Sequence, residues 1–80
     1  MGTGRRRPKN LPRKLLAIRN KLDVSQTEMA RLLNLDVAYT AISGYELGTR
    51  QPDLLVLLRY ARLAGVSTDV LIDDKLKLPD

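Results

Sequence analysis

SQTEMA at residues 25–30 and ISGYELG at residues 42–48 are the two segments that indicate how this 80-residue chain folds. Ser25, followed three residues later by Glu28, is a capping box: the hydroxyl accepts one free N–H of a helix, and the carboxylate reaches back to another. A helix is therefore predicted to begin at Ser25 and to run to about Leu33.

The connection that follows contains turn-forming residues. Asn34 is predicted to end this helix in the left-handed conformation. The next helix is predicted over roughly residues 38–47, where Gly48 ends it, and Asp36 is one candidate for its N-cap.

Helical periodicity extends to both sides of this pair. After Pro12, apolar residues recur every three or four positions and form one stripe: Leu15, Ile18 and Leu22. A fourth helix is expected to open at residues 52–53 and to end at Gly65, with these core-facing residues: Leu54, Leu57, Leu58, Ala61, Leu63 and Ala64. Ser67 is expected to cap a short fifth helix over residues 68–72.

No segment shows the apolar–polar alternation of a β-strand. The fold class is therefore predicted to be all-α, a compact bundle of five helices joined by short links. Residues 12–73 are expected to form this domain. Residues 1–11 are expected to be a disordered basic N-terminal arm, because they have no apolar periodicity, and residues 74–80 a polar C-terminal tail.

The composition limits the chemistry of the chain. Phe and Trp are absent and Tyr occurs three times, so the core must be largely aliphatic. Cys and His are also absent, which removes the usual thiolate and imidazole metal ligands and the commonest general base. With no catalytic carboxylate pair or glycine-rich phosphate loop, we expect neither an enzyme nor a metal or cofactor site. No apolar run approaches the roughly 18 residues of a membrane span.

The positive charge is concentrated in the first part of the sequence. Residues 1–50 carry ten Lys and Arg against four Asp and Glu, whereas residues 51–80 carry four against five. This asymmetry fits a chain with one face toward a polyanion, although a basic chain can also be basic for solubility alone.

Taken in order, the motifs resemble one family. They are the Ile-Arg of residues 18–19, the two segments quoted first, the Leu-Leu of residues 57–58 and the Gly-Val-Ser of residues 65–67. The pattern, over about residues 13–72, is similar to that of the lambda-repressor-like, Cro-type helix-turn-helix family, also called the xenobiotic-response-element family. The resemblance implies that helices two and three form a helix-turn-helix, with the third in the major groove. It further implies a transcriptional regulator, in particular a repressor, that binds double-stranded DNA sequence-specifically as a homodimer in the cytoplasm, at the nucleoid.

The resemblance also assigns roles to individual residues. Arg19 and Glu46 match positions that pair and tie the first helix to the end of the third. Gln26, at the start of the second helix, would contact a phosphate or reach over the third helix, and the neighbouring Thr27 is included in the predicted interface.

The expected base contacts lie on the third helix. Counting back from Ile42, its outward positions are Tyr39, Thr40, Ser43 and Gly44. Hydroxyl groups can contact several base edges, and Gly44 would allow a close backbone approach. Arg50, in the loop that follows, is expected at a phosphate. The basic arm is expected to reach around the duplex or into a minor groove through Arg5, Arg6 and Arg7.

The sequence departs from the family pattern between the two motifs. Seventeen positions separate Ser25 from Ile42, a longer spacing than in familiar members. The additional residues must lie between Leu33 and Ala41. They either lengthen the turn or extend the front of the third helix.

A protein-interaction role is the alternative. Members of the same fold family serve as antitoxins of toxin–antitoxin pairs, with or without operator binding, so a toxin or effector protein is a second candidate partner. An exposed apolar patch in the C-terminal third would serve such a partner or a homodimer. The residues expected there are Leu55, Val56, Tyr60, Val70 and Leu71.

Overall fold

The chain forms five helices over residues 7–79, the part that the computed structural model describes. They are α1 (Leu11–Leu22), α2 (Gln26–Leu33), α3 (Tyr39–Leu47), α4 (Leu54–Ala64) and α5 (Thr68–Ile72). No β-strand occurs in this part, and the all-α, five-helix prediction is confirmed. α1 packs against α3, α4 and α5, and α2 packs against α3 and α4. None of the described helices is long and apolar enough to cross a membrane.

The ends of α2 are set by its caps. Ser25 Oγ accepts the N–H of Glu28 at 3.1 Å, and Asn34 ends the helix in the left-handed conformation, with φ 52° and ψ 41°. The Glu28 carboxylate accepts a hydrogen bond from Arg31 Nη1 at 3.1 Å instead of reaching back to Ser25. The expected capping box therefore forms only in its first half.

A five-residue turn, residues 34–38, joins α2 to α3. Asn34 and Asp36 both have positive φ angles, 52° and 57°. The N-cap of α3 is Ala38, which has an extended backbone and no side-chain capping bond. The prediction of Asp36 as an N-cap is therefore wrong. The spacing between Ser25 and Ile42 is thus taken up by a five-residue turn and an α3 that begins at Tyr39.

All five helices contribute to one core. Its largest fully buried side chains are Tyr60, Leu11, Leu15, Met29, Leu33, Ile42 and Leu71. Removing this much aliphatic surface from water is the main stabilising contribution available to so short a chain.

The buried face of α4 differs from the prediction. Leu54 is 82% exposed, because Asp53 accepts the N–H of Val56 at 2.9 Å and fixes the first turn with Leu54 toward solvent. An exposed apolar patch was predicted for a protein partner, and for three of its residues this prediction is wrong because they are buried: Val56, Tyr60 and Leu71. Leu55 is exposed, as expected, and Val70 is half-buried.

The two ends of the described chain are joined to the helical bundle. α1 begins at Leu11, and Leu11 is buried. Lys14 is charged and yet only 7% exposed. Its Nζ donates to the carbonyl oxygens of Val70 at 2.7 Å and Asp73 at 3.0 Å, at the C-terminal end of α5. Leu78, in the segment predicted to be a polar tail, packs against the core.

Candidate nucleic-acid interface

α3 presents one side to the core and the other to solvent. Tyr39 is 56% exposed, Thr40 is exposed, and Ser43 is half-buried one turn later. Leu47 follows at the last turn and is 74% exposed. Residues spaced by three or four lie on the same side of a helix. We call these four residues the outer face of α3. The opposite side of the helix packs into the core through Ala41, Ile42 and Tyr45.

An ion pair anchors the C-terminal end of α3 to α1. Arg19 Nε donates to Glu46 Oε2 at 2.6 Å, and Arg19 Nη2 donates to Glu46 Oε1 at 3.0 Å. A third bond runs from Arg19 Nη1 to the carbonyl oxygen of Val24 at 3.0 Å. The two side chains are 17% and 7% exposed, and the hydrogen bond to Glu46 raises the pKa of Arg19. A two-point, charge-assisted contact limits rotation of α3 about its axis, so it fixes the direction of the outer face.

Gln26 extends this network to α2. Its Nε2 donates to Glu46 Oε1 at 3.1 Å, so that one carboxylate oxygen accepts from both α1 and α2. Gln26 is half-buried, whereas the next residue, Thr27, is exposed. The structure thus places the amide of Gln26 over α3, with its nitrogen on the carboxylate. Thr27 is the freely accessible residue at the start of α2.

Gly44, four residues after Thr40, lies at the edge of the outer face, where the loop that follows α3 covers it. Its carbonyl oxygen accepts the N–H groups of Thr49 at 3.0 Å and Arg50 at 3.2 Å. A Cβ at this position would lie 2.9 Å from Arg50 Cβ, closer than real Cβ contacts. The absence of a side chain at Gly44 therefore lets the loop close onto α3. The loop in turn places the exposed Arg50 beside the helix.

Basic residues border the C-terminal end of α3. Arg7, Lys9 and Arg50 line one groove together with Leu47 and Gln51. Arg7 and Lys9 precede α1 in the chain, so this groove brings the arm and the loop after α3 together. The other two arginines predicted to contact DNA, Arg5 and Arg6, lie outside the described residues.

Two residues of this region were not predicted from the sequence. Leu47 lies four residues after Ser43 and seven after Thr40, a spacing that could have placed it on the outer face. Asp74, which contacts Lys9 across 65 residues of sequence, had no local signal.

Among residues 7–79, no group of His, Cys, Asp or Glu side chains could hold a metal ion. Burial raises the pKa of Tyr45 and, more strongly, that of Tyr60. The main feature is an exposed helix face with cations beside it, an arrangement suited to a polyanion.

Two consecutive helices, the second with an exposed outer face and an anchored inner side, define the chain as a helix-turn-helix protein. The family model described as Helix-turn-helix matches residues 15–71, and the chain belongs to that family. The resemblance inferred from the sequence motifs is thereby confirmed.

Among solved structures, the chain is similar to the P22 c2 repressor protein, which was solved in complex with synthetic operator 9T in the presence of Tl+. The two share 25% sequence identity with a TM-score of 0.71, over 80% of this chain and 94% of the repressor chain. No curated protein matches the chain significantly.

Proposed function

We propose that this protein is a sequence-specific DNA-binding transcriptional regulator that inserts α3 into the major groove of double-stranded DNA. The observation that carries the proposal is the outer face of α3. Its hydroxyl-bearing residues are exposed or half-buried, its opposite side is fixed by the core, and Glu46 ties the helix to α1. A rigid helix with polar residues on its outward side is the element that reads base edges in this class of protein.

Within this proposal, Tyr39, Thr40 and Ser43 read bases. Tyr39 and Thr40 form the first turn of α3, the part of a recognition helix that usually contacts base edges. Thr27, exposed at the start of α2, contacts the phosphate backbone beside that turn. The first-turn N–H groups of a helix also favour an anion there. Gln26 helps to hold α3 in position through its bond to Glu46.

The basic residues contribute affinity without sequence preference. Arg50 and Arg7 border the groove at the far end of α3, where phosphates of the duplex would lie once the helix is docked. Arg5 and Arg6 add two further positive charges to the arm. Each phosphate that such a residue neutralises releases counterions, so binding must weaken steeply as salt is added.

The regulator is proposed to act as a repressor and a homodimer, without catalytic activity of its own, in the cytoplasm at the nucleoid. The similar P22 c2 repressor protein, solved with a synthetic operator, supports the role of repressor. The homodimer is supported by Leu54 and Leu55, which are 82% and 62% exposed next to the loop after α3, because adjoining exposed leucines are typical of contact surfaces.

The test is a selection from a randomised pool of DNA duplexes, sequenced after enrichment and repeated at several salt concentrations. The expected product is an inverted repeat whose half-sites lie about 10 base pairs apart, because two copies of α3 must enter the same side of the duplex. A pool that stays random at every salt concentration would contradict sequence-specific binding.

Variants of the outer face make the test specific. Thr40→Ala and Ser43→Ala should alter or relax the enriched sequence, since removing a base contact weakens binding by about 1–3 kcal/mol. Ser67→Ala is the matched control, because Ser67 is exposed before α5 and makes no side-chain capping bond. Equal effects of Ser43→Ala and Ser67→Ala on the enriched sequence would remove Ser43 from the interface.

A further inference from the structure

The backbone just before α1 is bonded to a residue near the end of the described chain. Asp74 Oδ2 accepts the N–H of Lys9 at 2.9 Å, and Asp74 Oδ1 accepts the N–H of Asn10 at 3.0 Å. The Asn10 side-chain nitrogen lies 3.5 Å from the carbonyl oxygen of Asp74. One carboxylate thus holds two consecutive N–H groups, which lower the pKa of Asp74 and keep it ionised at neutral pH.

Asp74 supplies what the N-terminus of α1 lacks locally. The N-cap residue, Asn10, makes no side-chain capping bond, and no acidic residue lies in the first turn of α1. A carboxylate at this end of a helix is favoured by the helix dipole. The negative charge that this helix end favours is therefore contributed from 64 residues away.

Asp74 is itself held in place by a neighbouring contact. The ammonium group of Lys14 donates to the carbonyl oxygens of Val70 and Asp73, which attaches the end of α5 to α1 from the inside of the bundle. Asp74 follows directly in the chain. Its position relative to Lys9 is consequently set by the packing of α5 on α1.

The attached segment lies next to the end of the outer face. Arg7 and Lys9 line a groove with Leu47 and Arg50 on one side. On the opposite side, the same two residues line a second groove together with Ile72 and Asp74. The backbone from Arg7 to Lys9 therefore runs between the loop after α3 and the end of α5, with its cations close to Arg50.

We propose that Asp74 is a positioning residue for DNA binding: it fixes the start of the basic arm so that Arg7, Lys9 and Arg50 together contact the sugar–phosphate backbone next to α3. This inference rests on the proposed function and adds to it a residue outside the predicted interface. Holding the start of the arm lowers the entropy lost when its cations bind.

Whether loss of Asp74 weakens or strengthens DNA binding distinguishes the positioning role from a purely electrostatic effect of its charge. Removing a negative charge from a DNA-binding protein should strengthen its attraction to phosphates. Loss of Asp74 should instead weaken binding, because the arm would no longer be held beside α3. Asp73→Ala is the matched control: Asp73 is adjacent and exposed, and its side chain bonds to Lys75 N–H instead of to the arm.

The experiment compares wild type, Asp74→Ala, Asp74→Asn and Asp73→Ala on the duplex enriched by selection, across a salt series. Circular dichroism confirms that each variant is folded at the temperature used. Asp74→Ala should weaken binding several-fold and lower the slope of log Kd against log salt concentration by about one for each phosphate that is no longer neutralised. Asp73→Ala should bind as tightly as wild type or more tightly. Asp74→Asn keeps one carbonyl acceptor and should lie between wild type and Asp74→Ala.

A second background tests whether the effect passes through the arm. In an arginine-to-glutamine background, Arg5→Gln, Arg6→Gln and Arg7→Gln combined with Lys9→Gln, Asp74→Ala should have a much smaller effect than in wild type. Amide hydrogen exchange at Lys9 and Asn10 should accelerate in free Asp74→Ala, which reports the loss of the anchor directly.

The outcomes distinguish this inference from the proposed function. If wild type enriches no sequence, the proposed function fails and the positioning role fails with it. If wild type binds and Asp74→Ala binds as tightly as Asp73→Ala, only the positioning role is overturned. An equally large loss in the arginine-to-glutamine background would also overturn it, because Asp74 would then act through the fold as a whole.

Discussion

Arg19 and Glu46 meet through two parallel hydrogen bonds, 2.6 and 3.0 Å long, at the junction of α1 and α3. Glu46 follows Ser43 by three positions, so the contact lies beside the exposed residues of α3, and the same carboxylate also accepts from Gln26. One acidic side chain therefore connects the helix expected to enter the groove with both helices that precede it.

Replacing Glu46 by alanine should destabilise the protein by about 2–4 kcal/mol, because it leaves the largely buried guanidinium of Arg19 without its partner. Thermal denaturation measures this, with a fall in Tm of about 10 °C or more expected for a domain of this size. Glu28→Ala is the control: it breaks an exposed pair with Arg31 and should cost less than about 1 kcal/mol. Equal losses for the two variants would contradict the importance of burial here.

Gly44→Ala should be destabilising even though alanine favours a helix by about 1 kcal/mol over glycine. The new Cβ would lie 2.9 Å from Arg50 Cβ, which has no freedom to swing away, so the loop must shift. We expect a net loss of about 1–2 kcal/mol by chemical denaturation and weaker DNA binding through the displaced Arg50. Ser43→Ala, on the adjoining position, should retain stability. A Gly44→Ala protein more stable than wild type would show that the loop yields freely.

Lys14→Met should cost about 1–3 kcal/mol, because the aliphatic stem is kept while the carbonyl groups of Val70 and Asp73 lose their donor. Lys21→Met, at an exposed position of the same helix, serves as the reference. Urea denaturation of both variants gives the comparison. If the two were equally stable, water would be satisfying the end of α5 as well as Lys14 does.

Tyr60→Phe should leave stability unchanged or raise it by about 1 kcal/mol. The Tyr60 hydroxyl is buried with no hydrogen-bond partner among the described residues, and an unpaired buried hydroxyl is costly. Tyr39→Phe, on the exposed side of α3, should change stability by less than about 0.5 kcal/mol. A substantial loss of stability in Tyr60→Phe would reveal a partner for the hydroxyl.

Stability should also decline in alkaline solution. Burial raises the pKa of Tyr60 and, less strongly, that of Tyr45 above the ordinary value of 10.0. The folded protein thus holds these protons more tightly than the unfolded chain does. Their contribution is complete below about pH 10 and is lost as the pH rises toward the folded pKa values. Denaturation at a series of pH values should show a shallower alkaline decline in Tyr60→Phe than in wild type, and identical slopes would count against this account.

Local signals in the sequence predicted much of the architecture. The hydroxyl of Ser25, the left-handed Asn34 and the helix-ending glycines act within a few residues of themselves, so helix number and order could be predicted. Tyr60 and Leu54 were misplaced because the side of α4 that is buried depends on its packing against α1, α2 and α5, which periodicity within α4 does not give.

Only part of the proposed interface could be predicted from the sequence. Tyr39 and Thr40 were correctly predicted on the exposed side of α3, because the position of a residue around a helix follows from sequence spacing alone. Gly44 was assigned to the same side, but its loop contact with Arg50 depends on how the chain returns after Gly48. The bond from Asp74 to the backbone of Lys9 joins distant segments, and no periodicity predicts such a contact.

The three tyrosines lie at three depths: Tyr60 is fully buried, Tyr45 is 6% exposed and Tyr39 is 56% exposed on α3. Because the sequence contains no tryptophan, all of the intrinsic fluorescence comes from these rings. Emission from Tyr45 and Tyr60 should follow unfolding, while quenching of Tyr39 by stacked bases should follow docking. Tyrosine fluorescence should therefore report both unfolding and DNA binding. Tyr39→Phe should remove the DNA-binding signal and leave the unfolding signal.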